Sequence, residues 1–134
     1  MTTLYVDSSA LLKRVVREAE SSAVRSLLRA ADADGDLLTA SSVAWLEVWR
    51  SLRRAGVVDL AGTVNSALSG VAMFHLRDSV LVRARKVGYD ELRSLDAIHL
   101  ASALEIGADS ILTYDDRLAE SAAAVGLSVL APRG

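Results

Sequence analysis

The sequence predicts an α/β fold: a central, mainly parallel β-sheet flanked by helices on both faces. Short apolar runs alternate along the whole chain with longer segments of helical periodicity. Alternation of that kind lays parallel strands side by side and connects them by helical crossovers. The chain has 134 residues, of which 51% are apolar. That suffices for one domain with a real core and is too little for two, so a single domain over 1–134 is expected.

The elements follow in order. Leu4-Tyr5-Val6 reads as the first strand, and Asp7-Ser8-Ser9 offers capping side chains for a helix from Ala10 to Glu20. Leu11, Leu12, Val15 and Val16 would share one face of it. A second helix is expected from Ser22 to Ala31, then a turn over 32–36. That turn is too short of later ligands to be a calcium loop. Leu37 to Ala40 is the second strand, and Ser41 or Ser42 caps a helix that Gly56 stops. Asp59 to Leu68 reads as a helix, Val71 to Leu76 as a strand and Ser79 to Val87 as a helix ended by Gly88. Ser94 caps the next helix, Leu95 to Ile106, whose Leu95, Ile98, Ala101 and Leu104 recur at helical spacing. Ser110 to Tyr114 is a strand, a short helix runs to Val125, and Leu127 to Leu130 is the last strand.

Composition narrows the function. No apolar run approaches the length of a membrane span, and the N-terminus lacks the basic start of a secretory signal. With no cysteine, disulfides and thiolate zinc sites are excluded, which fits the cytosol. A net charge of −2 argues against a generally basic coat for nucleic acid. Thirteen of the fifteen basic residues are arginine. Arginine suits bidentate phosphate contacts, although a GC-rich genome explains the bias as well.

Asp7, Glu47, Asp96 and Asp115 each fall at a strand end or in the first turns of a helix. In an open α/β sheet such positions converge on the crevice at the carboxyl edge. Carboxylates gathered there repel one another unless a cation stands between them. The cation suited to oxygen ligands is hard and divalent, Mg²⁺ or Mn²⁺, and the chemistry it serves is phosphodiester hydrolysis by an activated water. Asp7 and Asp96 are the expected principal ligands, with Asp115 completing the site directly or through water. Glu47 is expected to hold a metal-bound water or act as general base. One ion or two would serve. Taken singly, Asp7 and Asp96 are better read as charges at helix N-termini and Asp115 as a cap on the last helix; taken together, the four favour a metal site. Glu47, inside a helix among Trp45, Leu46, Val48 and Trp49, is harder to explain that way.

Four segments in order resemble the PIN-domain family: Val6-Asp7-Ser8-Ser9-Ala10-Leu11, Ser42-Val43-Ala44-Trp45-Leu46-Glu47, Leu95-Asp96-Ala97-Ile98-His99-Leu100-Ala101-Ser102-Ala103 and Ile111-Leu112-Thr113-Tyr114-Asp115. Their intervals and the chain length are similar to those of VapC-type toxins of bacterial toxin–antitoxin modules. The resemblance implies a PIN-like fold and an Mg²⁺- or Mn²⁺-dependent endoribonuclease restrained by a VapB-like antitoxin. It matches Asp7, Glu47, Asp96 and Asp115 to the family's acidic positions, Ser8 to a small polar position and Thr113 to a hydroxyl position. Asp116 could share or replace the role of Asp115.

Other residues read more blandly. His99, three after Asp96, is expected to be a packed histidine with a satisfied ring, and His75 has no assigned role. Lacking a histidine pair, the sequence favours water over the ribose 2′-OH as nucleophile, giving a 5′-phosphate. Trp45 and Trp49 are expected in the core, with an interface as the alternative; a homodimer is expected. Lys13, Arg14, Arg17, Arg50, Arg53, Arg54, Arg93 and Arg117 are candidates for an RNA path. The competing class is a non-catalytic PIN-like module that binds nucleic acid or protein. A phospho-accepting receiver domain fails for want of a second acid beside Asp7 and of a lysine after Lys86.

Overall fold

The computed structural model describes residues 1–133. Five strands form one sheet: β1 (Thr3–Val6), β2 (Leu37–Ser41), β3 (Ala72–Phe74), β4 (Ser110–Leu112) and β5 (Ser128–Leu130). Their order is β3-β2-β1-β4-β5, and every pair is parallel. The chain builds outward from β1 to β3, then returns to the other side of β1 for β4 and β5. The strand order therefore reverses between β1 and β4, where Val6 pairs with Leu112 and the Asp7 N–H reaches the Leu112 carbonyl at 3.1 Å. In open parallel sheets the crevice beyond such a reversal is the usual ligand site.

Side-chain alternation along the strands sorts the helices into two layers. Leu4, Val6, Leu38, Ala40 and Leu112 point into one core, against α1 (Ser8–Leu12), α2 (Ser21–Ala33), α3 (Val43–Arg54) and α4 (Leu60–Ala67). Tyr5 and Ile111 point the other way, against α6 (Ser94–Ile106) and α7 (Asp116–Ala124). The remaining helix, α5 (Asp78–Ala84), packs on α6. Among the described residues, no helix is long and apolar enough to cross a membrane.

Three expectations need correction. The first helix ends at Leu12, well short of Glu20. Beyond it the N–H groups of Lys13, Arg14 and Val15 bond three residues back, so the helix tightens and unwinds. Ser21 holds the reversal: its hydroxyl donates to the Val16 carbonyl and accepts from the Glu18 N–H, each at 2.9 Å. Next, α6 buries the predicted stripe only in part: Ala101 is enclosed and Ile98 and Leu104 are half-buried. Leu95 is exposed, while Ala97, His99, Leu100, Ala101, Ser102 and Ala103 are buried, because the helix is covered on more than one side by the sheet, α5 and α7. Finally, Trp45 is 56% exposed and lies outside the core; it tilts against Trp49 with ring centroids 6.3 Å apart.

Candidate active site

Each acidic residue is delivered by a different element to the carboxyl edge of the sheet. Asp7 follows β1 and caps α1, accepting from the Ala10 N–H at 3.0 Å. The same oxygen accepts from the Ser9 hydroxyl at 2.7 Å, and the other from the Thr113 hydroxyl at 2.6 Å. Asp115 follows β4 and caps α7 by accepting from the Leu118 N–H at 2.9 Å. The capping role foreseen as an alternative is thus real for both, and it fixes where their carboxylates sit. Asp96 lies in the first turn of α6 and Glu47 on α3.

A cleft of about 750 Å³ is lined by Glu47, Arg93, Ser94, Leu95, Asp96, Tyr114, Asp115, Asp116 and Arg117. Asp7 is almost wholly buried, with 3% exposure. Of the expected RNA-path residues, only Arg93 and Arg117 line this cleft. Lys13 pairs instead with Glu18 and Glu20, and Arg14 donates to the carbonyls of Ala67 and Ser69.

The charges act on one another. Burial, and next the charge of Asp115, pushes the Asp96 carboxyl up to about 6; His99 opposes them, and Asp7 and Glu47 add smaller upward contributions. Burial likewise raises Asp7, although His99, Ser9, Thr113 and the Ala10 N–H oppose it. Glu47 shifts the other way. Burial would raise it, but the hydrogen bond and charge of His99, with the Ser8 hydroxyl, outweigh burial and hold it below the ordinary range.

His99 is the buried histidine foreseen, yet its ring is tied to the site. Nε2 lies 2.5 Å from Glu47 Oε1 and Nδ1 lies 2.7 Å from the Tyr5 hydroxyl. Ser8 donates to the same Glu47 oxygen at 2.7 Å. Burial would depress the imidazole pKa, but Glu47, with smaller contributions from Asp7 and Asp96, turns the net direction upward. Tyr5 went unremarked in the sequence. The available signal was its parity with Asp7, two residues on, which places both toward α6.

Among the described residues, no three His, Asp or Glu side chains stand close enough to enclose one ion. The hydrogen bonds give the reason: Glu47 Oε1 is drawn to His99 and Ser8, Asp7 to Ser9, Ala10 and Thr113, and one Asp115 oxygen to its own helix. The donor set itself, carboxylate oxygens with raised or mutually opposed charge, matches the chemistry of a hard divalent cation that keeps several waters.

The sequence profile described as PIN domain matches residues 4–124. The chain belongs to the PIN domain family. It is 39% identical to Ribonuclease VapC46 of Mycobacterium tuberculosis over 135 residues, covering 98% of this chain and 99% of that one. Its fold is similar to the crystal structure of Mycobacterium tuberculosis VapC20, titled a sarcin-ricin loop cleaving toxin, with a TM-score of 0.75, 18% identity and coverage of 96% and 99% of the two chains. It is also similar to VapBC2 from Rickettsia felis bound to a DNA fragment from their promoter, with a TM-score of 0.70, 10% identity and coverage of 96% and 97%. The five parallel strands with helices on both faces are thus the fold expected from the PIN resemblance.

Proposed function

We propose that this protein is a divalent-metal-dependent endoribonuclease of the VapC type, the toxin of a toxin–antitoxin pair, hydrolysing RNA phosphodiesters in the cytosol. The name of the VapC46 relative supports the activity. The observation that carries the chemistry is the cleft position of Asp96, where burial first, and then the charges of Asp115, Asp7 and Glu47, push its carboxyl up to about 6. A site that raises a carboxyl in this way gains from a cation.

Asp7, Asp96 and Asp115 would hold Mg²⁺ or Mn²⁺, which when bound lowers the pKa of water and polarises a phosphoryl oxygen. Ser9 and Thr113 orient Asp7 as outer-shell partners do. Glu47, with one oxygen pinned, orients the attacking water or takes its proton. Asp116, exposed at the start of α7, is placed to support Asp115. Arg93 and Arg117 face the RNA phosphates. His99 is enclosed and already engaged by Glu47, so it is not free to act on a ribose 2′-OH; water remains the nucleophile, leaving a 5′-phosphate.

The acidic cleft also suits neutralisation by an arginine or lysine of a VapB-like antitoxin. The exposed Trp45 and Leu46 on α3, and Leu81, Val82 and Leu95 on α5 and α6, supply apolar surface for that partner and for a homodimer. The test is cleavage of RNA by the purified protein. Activity is expected with Mn²⁺ or Mg²⁺ and not with EDTA, and Asp96→Asn should lower it by at least the roughly 100-fold that loss of even an outer-shell partner can cost. Undiminished cleavage by a folded Asp96→Asn protein would refute the site.

A further inference from the structure

His99 is 1% exposed, yet it reaches the cleft through Glu47. The hydrogen bond to Glu47 has a fixed direction, because a carboxylate oxygen only accepts. The Tyr5 hydroxyl accepts from the Ser41 N–H at 3.0 Å and lies 2.7 Å from His99 Nδ1. Nε2 faces a carboxylate oxygen, so it carries a proton. Nε2–H donates to Glu47 Oε1 at 2.5 Å, and the Ser8 hydroxyl donates to that same oxygen at 2.7 Å. Oε1 has two donors, while Oε2 has no protein donor among the described residues.

We propose that His99, backed by Tyr5 and the Ser41 backbone, is a positioning residue: with Ser8 it pins Oε1 of Glu47 and leaves Oε2 as the working oxygen of the cleft. The inference rests on the assignment of Glu47 to the nuclease site. A glutamate has three side-chain torsions to fix, and a misplacement of about 1 Å at a reacting group can cost on the order of 100-fold in rate. The chain of contacts takes that freedom away. It links β1, β2, α1, α3 and α6, elements whose relative positions the core already sets.

Two variants separate positioning from simple packing. The amide nitrogen of His99→Gln reaches the place of Nε2 and can still donate to Glu47. That of His99→Asn reaches only the place of Nδ1, against Tyr5. The positioning role predicts that His99→Gln retains kcat within about threefold of wild type. His99→Asn should lose about 10–100-fold in kcat, with Mn²⁺ affinity weakened in the same range and KM for RNA little changed. A role confined to filling the core predicts that the two behave alike, and equal kcat and equal Mn²⁺ affinity in two folded variants would overturn the proposal. Crystal structures of both variants without metal supply an independent readout: the Glu47 rotamer should move in His99→Asn and not in His99→Gln. If the wild-type protein neither binds Mn²⁺ nor cleaves RNA, the functional reading fails while this comparison still decides. Glu47 fixed in the same place in both structures would then refute positioning.

Discussion

Asp96 shows how a single residue can record the character of a site. Its carboxyl titrates near 6 in the folded protein against 3.8 in a model peptide, so the folded state binds that proton more tightly. Folding is penalised where the group is ionised, above pH 6, and the penalty fades as the pH falls to 3.8 and below. A shift of this size would be worth about 3 kcal/mol at 1.36 kcal/mol per unit. Because Asp96 is only half-buried, solvent screening reduces it to about 1 kcal/mol. Asp96→Asn should therefore raise the metal-free melting temperature at pH 8 and leave it nearly unchanged at pH 4. An equal gain at both would mean that the buried, crowded charge of Asp96 is not its origin. Thr113 tests the same site from behind. It donates to Asp7 and accepts from the Asp115 N–H at 3.1 Å. Thr113→Val should cost about 1–3 kcal/mol by leaving both groups unpaired and lower cleavage about 10–100-fold, while Thr113→Ser restores most of both in melting and rate assays. The acids were legible because charges embedded among apolar residues stand out in a sequence. Tyr5 and His99 were not legible as a pair, since 94 residues separate them and only the fold joins them.

At the scale of elements, strands and most helices could be read from periodicity, and what failed were boundaries set by distant contacts. Nothing local in Lys13 to Glu20 stops a helix; the stop comes from Ser21 and from the Lys13 ion pairs with Glu18 and Glu20. Ser21 is 1% exposed and satisfies one carbonyl and one N–H across that reversal. Ser21→Ala should thus destabilise the protein by about 1–3 kcal/mol in chemical denaturation, a large effect for a serine at the first position of a helix. Were Ser21→Ala neutral, the reversal would owe its shape to the flanking apolar contacts instead. The face of α6 was misread for a different reason. Beside Leu100 and His99, its buried surface is Ala97, Ala101, Ser102 and Ala103, which carry little hydrophobic signal but allow close approach of the sheet and two helices. The larger Leu95 marks the outside.

For the whole molecule, the distribution of charge decides how RNA can be held. The chain carries fifteen basic residues, but four are engaged elsewhere: Lys13 and Arg14 on structure, Arg83 on Glu105, and Arg133 on Glu20. Arg93 and Arg117 alone among the arginines border the acidic cleft. Each phosphate contact contributes about 0.7 to the logarithmic salt slope on single strands, so two contacts give a slope of only about 1.4. On the proposed reading, metal in the cleft would offset the carboxylates. Binding to arbitrary RNA should therefore be weak and only mildly salt-dependent, and discrimination must come from the shape and splayed bases of a particular loop. Fluorescence anisotropy with an unstructured homopolymer, run from low to high salt with Mn²⁺ and an Asp96→Asn protein to prevent turnover, measures the slope. Cleavage of hairpin RNAs against the homopolymer by the wild-type protein measures the discrimination. A slope of about 4 or more, with equal cleavage of both substrates, would mean that a broad basic surface outside the cleft captures RNA.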